Sequence, residues 1–196
     1  MTYINFVIMV ISIFCIYFFY IKSVQPASLE KKIGDCSYKR CKHYRMVASI
    51  FMFLTLATFI MYKYYPLPIS LLKTFSWSWS TSIKIAVIIS IPSIFLFYKG
   101  VKDAGSETMS PNKDNKMYAG IYEKIRHPQA VGEYFLWIII SLLLNSPFVL
   151  IISLIMLVPW VYMCYAEEKD LVIRYGEPYI EYKNKVGMFF PKSKNS

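Results

Sequence analysis

The chain has 196 residues, 56% of them hydrophobic, and carries 22 lysines and arginines against 12 aspartates and glutamates, a net charge of +10. One domain is the expectation at this length, and the apolar share exceeds the roughly one half of a soluble domain. Apolar residues come in long blocks flanked by basic residues, a pattern that argues against a soluble globule and fits a membrane better than nucleic acid, for which no fold or motif is present.

Residues 3–21 contain no charge and are long enough to span, since about 20 apolar residues cross a bilayer core. No positive residue precedes this block and no small-residue cleavage site follows it, so a retained span is expected rather than a cleaved signal. Lys22 and Gln25-Pro26 end it. The loop predicted over 24–45 sets Lys31, Lys32, Lys39, Arg40, Lys42 and Arg45 against Glu30 and Asp35, and reads as a topology determinant. It also holds Cys36-x4-Cys41-x-His43, which lacks a fourth ligand and matches no common zinc spacing. With Cys15 and Cys164 inside apolar blocks, reduced thiols and no metal site are expected.

A second uncharged block covers 46–62. The loop at 63–84 has no acid, three lysines (Lys63, Lys73, Lys84) and the rings of Tyr64, Tyr65, Phe75, Trp77 and Trp79, the composition of an interfacial aromatic belt. The third block, 85–98, is the weakest, with 14 uncharged residues and Pro92 inside. Snorkelling Lys84 and Lys99 would lengthen it and Pro92 would kink it; a re-entrant segment is the alternative.

A mixed-charge loop at 99–127 leads into Gly120-Ile121-Tyr122-Glu123-Lys124-Ile125-Arg126-His127-Pro128-Gln129-Ala130-Val131-Gly132-Glu133. Beyond it, 134–166 is 33 residues without a charge, closed by Glu167-Glu168. Such a run would be roughly 50 Å as one helix, too long for a core of about 30 Å. Asn145-Ser146-Pro147 near its middle is a turn signal, so the spacing predicts a helical hairpin. Its first arm starts at Pro128 and its second runs from near Pro147 to Glu167-Glu168, with Pro159 a possible kink. In 171–182, Tyr175, Tyr179 and Tyr182 share one helical face, while Gly176 and Pro178 favour a break into two short helices.

The expected fold class is therefore all-α: a polytopic membrane protein of about five transmembrane helices, three in 1–98, then a C-terminal helical hairpin and short cytosolic helices in 99–196. With five spans, all basic residues except Lys63, Lys73 and Lys84, and every acidic residue, fall on one side. The positive-inside rule then predicts an outside N-terminus and a cytosolic tail. The hairpin brings Arg126, His127, Glu133, Glu167 and Glu168 to one rim. Charges held there are costly unless they pair or serve a ligand. An interfacial anchor, with Arg126 and His127 reaching head groups, is the plain explanation; a ligand site is the other.

Gly120-Ile121-Tyr122-x3-Arg126-His127-Pro128, then Gly132-Glu133, then about thirty apolar residues, then Glu167-Glu168-x2-Leu171-x4-Gly176-x2-Tyr179-x2-Tyr182 resembles the isoprenylcysteine carboxyl methyltransferase and phospholipid methyltransferase superfamily of integral-membrane enzymes. The resemblance covers some 75 residues, from Met117 to about Pro191, and rests on two motifs at the right separation. It implies an S-adenosylmethionine site without a Rossmann fold and a lipophilic or lipidated acceptor drawn from the membrane. Carried over by position, Asp114, Asn115, Lys116, Met117, Tyr122, His127, Pro128, Gln129, Ala130 and Glu167 would line the cofactor pocket. Arg126 and Glu168 would be catalytic, and Met163 would face the acceptor. Two positions depart from the pattern: Ala130 stands where the family usually has Tyr, and Met163 where enzymes acting on prenylcysteine carry Arg. Two other readings remain, a non-catalytic lipid-binding or scaffold homologue and an NADPH-dependent enzyme like the sterol reductases, which share a similar hairpin and Arg-His-Pro motif. Residue pattern leaves the oligomeric state open.

Overall fold

In a computed structural model of the chain, residues 1–69, 73–112 and 119–192 are described. Helices α1 (Thr2–Ser23), α2 (Pro26–Ile33), α3 (Cys36–Tyr62), α4 (Trp79–Ala104), α5 (Pro128–Leu143), α6 (Pro147–Ile155), α7 (Leu157–Tyr175) and α8 (Glu177–Lys185) follow in order, with 3-10 turns at Gly105–Thr108 and Gly120–Glu123. The architecture is all-helical, as expected. Thr2–Ser23, Cys36–Tyr62, Trp79–Thr108 and Pro147–Tyr175 are long and apolar enough to cross a membrane, and Pro128–Leu143 is a shorter apolar helix. At 16 residues, α5 reaches only about 24 Å, short of a bilayer core of about 30 Å. Large apolar side chains such as Phe53, Ile88, Ile91 and Val158 point outward, as a lipid-facing surface requires.

Two elements differ from the sequence expectation, and a third shows the expected effect of Pro159. The weak third block is the middle of the unbroken α4, 26 residues long with Pro92 inside it. Ser78 caps its start by accepting from Thr81 N–H at 3.3 Å, and Lys99 bonds Asp103 one turn on at 3.1 Å, so polar residues extend the helix at both ends. The basic loop is mostly helical. Pro26 begins α2, whose first amides are satisfied from a distant element: Ala27 and Ser28 N–H donate to the Asp170 carboxylate at 3.0 and 2.6 Å. The hairpin's second arm breaks at Met156 into α6 and α7. Pro159 has no N–H for the Ile155 carbonyl, which is the physical reason for a break there.

Helices α1 and α3 pack along each other, as do α4 and α5, while α7 runs past α1 and α2. The first pair is zipped by small polar groups: Asn5 Nδ2 donates to the Thr58 carbonyl at 3.1 Å and Thr55 bonds Ser12 at 2.8 Å. The second pair closes backbone to backbone. A Cβ on Gly132 would stand 2.5 Å from Phe97 N and the Ser93 carbonyl, and one on Gly100 would stand 2.6 Å from Gln129 N. Ser93 Oγ also donates to the Gly132 carbonyl at 2.8 Å. Small residues let membrane helices approach this closely. Phe59 against Trp137, edge to face at 5.5 Å, joins the two pairs in a core that includes Met9, Val149 and Met156.

The hairpin turns at Asn145, which has φ of 53°, and Ser146 caps α6 through Val149 N–H at 3.3 Å. Its arms are joined by Ser141 and Ser153 at 2.9 Å and by Tyr134 Oη donating to the Ser153 carbonyl at 3.2 Å. Folding back in this way returns Glu167 and Glu168 to the level of Arg126 and His127.

Candidate functional site

Gly120 sets up the approach to the site. Its φ is +67°, and a Cβ there would meet Asp103 Oδ2 at 2.4 Å. Asp103 instead accepts the Ile121 N–H at 2.8 Å and ties the 3-10 turn to α4. That turn buries Tyr122, whose hydroxyl donates to the Gly100 carbonyl at 3.3 Å. Tyr182 on α8 donates to the Tyr122 carbonyl at 2.6 Å. The next residues run beside the tail: Arg126 N–H donates to the Gly187 carbonyl at 2.9 Å and His127 N–H to the Met188 carbonyl at 3.2 Å. Gly187 is needed here, because a Cβ would stand 1.8 Å from the Phe190 carbonyl.

A buried charge network follows. Arg126 Nε donates to Glu168 Oε1 at 2.6 Å, and its Nη1 donates to the carbonyls of Lys183, at 3.0 Å, and Val186. His127 lies between two carboxylates, with Nε2 3.2 Å from Glu168 and Nδ1 3.4 Å from Glu167. Lys183 Nζ reaches Glu168 Oε2 at 3.1 Å. Burial disfavours a charged imidazole, but the hydrogen bonds and charges of Glu167 and Glu168 outweigh it and raise the His127 pKa above its ordinary value. Burial pushes the phenols of Tyr122, Tyr179 and Tyr182 well above their usual range, so each remains a neutral hydroxyl.

One cleft opens on this network. Its wall includes Tyr122, Arg126, His127, Gln129, Ala130, Met163 and Glu167, seven of the residues singled out from sequence, together with Leu171, Tyr179 and Tyr182. Two expected residues do not line it. Pro128 is fully buried as the first residue of α5, and Glu168, 1% exposed, faces Arg126, His127 and Lys183. Asp114, Asn115, Lys116 and Met117 lie outside the described residues.

The opposite wall was not anticipated: Tyr20, Val24, Arg45, Ala104, Glu107 and Thr108. Arg45 Nη1 donates to the carbonyls of Glu107 and Thr108 at 2.6 and 2.7 Å. Arg174 pairs with Glu107 at 2.6 Å, both side chains buried, and so holds the Gly105–Thr108 turn against α7. The one sequence signal for Arg45 was its place as the last charge before the 46–62 block, which puts it at a membrane rim.

The cleft offers an acceptor in Glu167, hydroxyls and ring faces from four tyrosines, an amide in Gln129 and apolar surface at Val24, Ala130, Met163 and Leu171. That set suits a molecule combining an aromatic base, hydroxyls and a charged small group. Among the described residues the cleft is narrow, about 60 Å³, so a ligand of that size must part its walls.

Residues 80–178 match the family model of phospholipid methyltransferases. No curated protein and no solved structure gives a significant match to the chain.

Proposed function

Because the chain belongs to the phospholipid methyltransferase family, we propose that it is a membrane enzyme that transfers a methyl group from S-adenosylmethionine to a lipophilic acceptor, with its site facing the cytosol. The observation that carries this reading is convergence. Residues from two motifs some forty positions apart, His127 and Glu167, stand 3.4 Å from each other on the wall of one cleft. The residues present suit the cofactor. Glu167 has one oxygen near His127 and lines the cleft, where it can accept from ribose hydroxyls or an amino group. Tyr122 and Tyr179 supply ring faces for an adenine. The start of α5 carries the positive end of the helix dipole, which favours an anionic group.

The cofactor, when bound, supplies an electrophilic methyl group on a sulfonium. The chain's own contribution is alignment and exclusion of water. Glu168 holds Arg126 and His127 rigid, and Tyr182 fixes the turn that carries Tyr122. In this reading Glu168 positions its neighbours, and Arg126, with Nε and Nη1 already bonded, does the same. With five spans, as the sequence suggests, the positive-inside rule would turn the polar mouth and the acidic residues to the cytosol, where a water-soluble cofactor is available.

The test is binding of S-adenosylhomocysteine to the full chain in detergent, measured by calorimetry. Wild type is expected to bind, and Glu167→Gln to lose about ten-fold in affinity, consistent with removing one charge-assisted hydrogen bond. Equal binding by both proteins would remove Glu167 from the site. No transfer of labelled methyl to any extracted membrane lipid or lipidated thiol would remove the activity.

A further inference from the structure

A second cavity adjoins the cleft and shares Tyr20, Arg45, Thr108 and Gln129 with it. Its volume is about 380 Å³, within the roughly 300–1,000 Å³ of small-molecule sites. Away from the shared residues its wall is mostly apolar, formed by Leu56, Phe97, Leu136, Trp137 and Ile140, with Ser49 and Glu133 the polar exceptions. Phe53 also lines it and is 75% exposed on the outer surface of α3, so the cavity reaches the lipid-facing side. It lies along the seam between the α1–α3 pair and the α4–α5 pair, which pack more closely within themselves than against each other.

Arg45 marks the polar end. The residue is 8% exposed, and its Nε is buried without a hydrogen-bond partner. Its other nitrogens donate to the carbonyls of Glu107, Thr108 and, at 3.5 Å, Ser23. No carboxylate lies within ion-pair distance of it among the described residues. Carbonyl dipoles offset part of the cost of burying a guanidinium, but a buried cation is fully compensated only by an anion. Glu133 lines the same cavity within reach of the Arg45 charge, and its side chain forms no hydrogen bond or ion pair to a described residue. When ionised, its carboxylate repels an anion brought to Arg45 and so limits how tightly one is held.

We infer that this cavity is the acceptor site and that it takes a single-chain amphiphile with an oxyanionic head, a carboxylate or a phosphate, docked on Arg45 with its chain running along the α3–α4 seam to the bilayer. This deepens the methyltransferase reading and rests on it for the word acceptor. The binding site itself does not depend on that reading. Arg45 is a specificity-determining residue, and it lies outside the family-matched segment.

The probes are 11-bromoundecanoate and its uncharged counterpart 11-bromoundecanol, added to the full chain in nanodiscs. The readout is saturable quenching of tryptophan fluorescence, with Trp137→Phe to assign the signal to the cavity. The carboxylate is expected to bind at least ten-fold more tightly than the alcohol. Arg45→Gln should erase that ratio, Arg45→Lys should retain part of it, and Glu133→Gln, which leaves the Arg45 contacts in place, should tighten carboxylate binding several-fold. Equal affinity for the two probes, or no change on Glu133→Gln, overturns the assignment. A larger loss of S-adenosylhomocysteine affinity than of undecanoate affinity in Arg45→Gln also overturns it, because the oxyanion at Arg45 would then belong to the cofactor. A retained carboxylate preference in a protein that binds no S-adenosylhomocysteine supports the cavity assignment and sinks the methyltransferase reading alone.

Discussion

The α1–α3 pair and the α4–α5 pair solve one problem in two ways. Both bring long apolar helices side by side where lipid offers no hydrophobic gain for doing so. The first pair, outside the family-matched segment, uses side-chain hydrogen bonds between Asn5, Ser12, Thr55 and Thr58. The second, within it, uses glycines that let backbone meet backbone at Gly100 and Gly132. Side-chain bonds can be lost one at a time, whereas a missing Cβ cannot be replaced without moving a helix. The difference follows from what each pair carries. Helix α5 opens with His127, Pro128 and Gln129, so a shift between α4 and α5 displaces the motif itself. The α1–α3 pair contributes a wall and one cation, Arg45.

The contrast can be broken in order of expected effect. Glu168→Ala should be most damaging, at about 3–5 kcal/mol, because it leaves Arg126 and His127 buried without their shared counter-ion. Chemical denaturation in detergent measures it. The same variant changes the pH profile. With its pKa raised in the folded state, His127 contributes stability that is fully present below its ordinary value of 6.5 and is lost as pH rises through the folded value. Glu168→Ala should flatten that fall, and a profile as steep as wild type would place its origin elsewhere. Gly132→Ala should follow at about 1–3 kcal/mol of over-packing, since the new methyl meets Phe97 N and the Ser93 carbonyl, both backbone atoms. It should also weaken S-adenosylhomocysteine binding, which a purely local effect would not. Thr55→Val should cost least, about 0.6 kcal/mol, the typical worth of a hydrogen bond between membrane helices, and should leave cofactor binding alone. A Thr55→Val protein as unstable as Gly132→Ala would erase the distinction between the pairs.

Much of the fold was legible in the chain. Block lengths fit spans, and Asn145-Ser146-Pro147 predicted the hairpin because a run of 33 uncharged residues exceeds one bilayer crossing. The weak third span was misjudged in length because counting charges cannot see that Ser78 caps its start and that Lys99 and Asp103 pair within it. The site was half legible. Tyr122, Arg126, His127 and Glu167 belong to compact motifs, and the hairpin alone brings them together. The resemblance cast Glu167 as a cofactor residue and Glu168 as catalytic, yet adjacent helix residues point about 100° apart, and only Glu167 faces the cleft.

From its residues alone, then, this protein is bound to be helical, to lie in a membrane and to return its acidic pair to the Arg-His rim, since apolar run length and turn chemistry are local properties. Only tertiary packing decided that Asp170 caps α2 from 143 residues away, that Arg174 and Arg45 clamp the Gly105–Thr108 turn, and that Arg45 stands where a polar cleft meets an apolar cavity. Those partners are far apart along the chain, and each is chosen by which helix faces happen to meet, a choice no window of sequence contains.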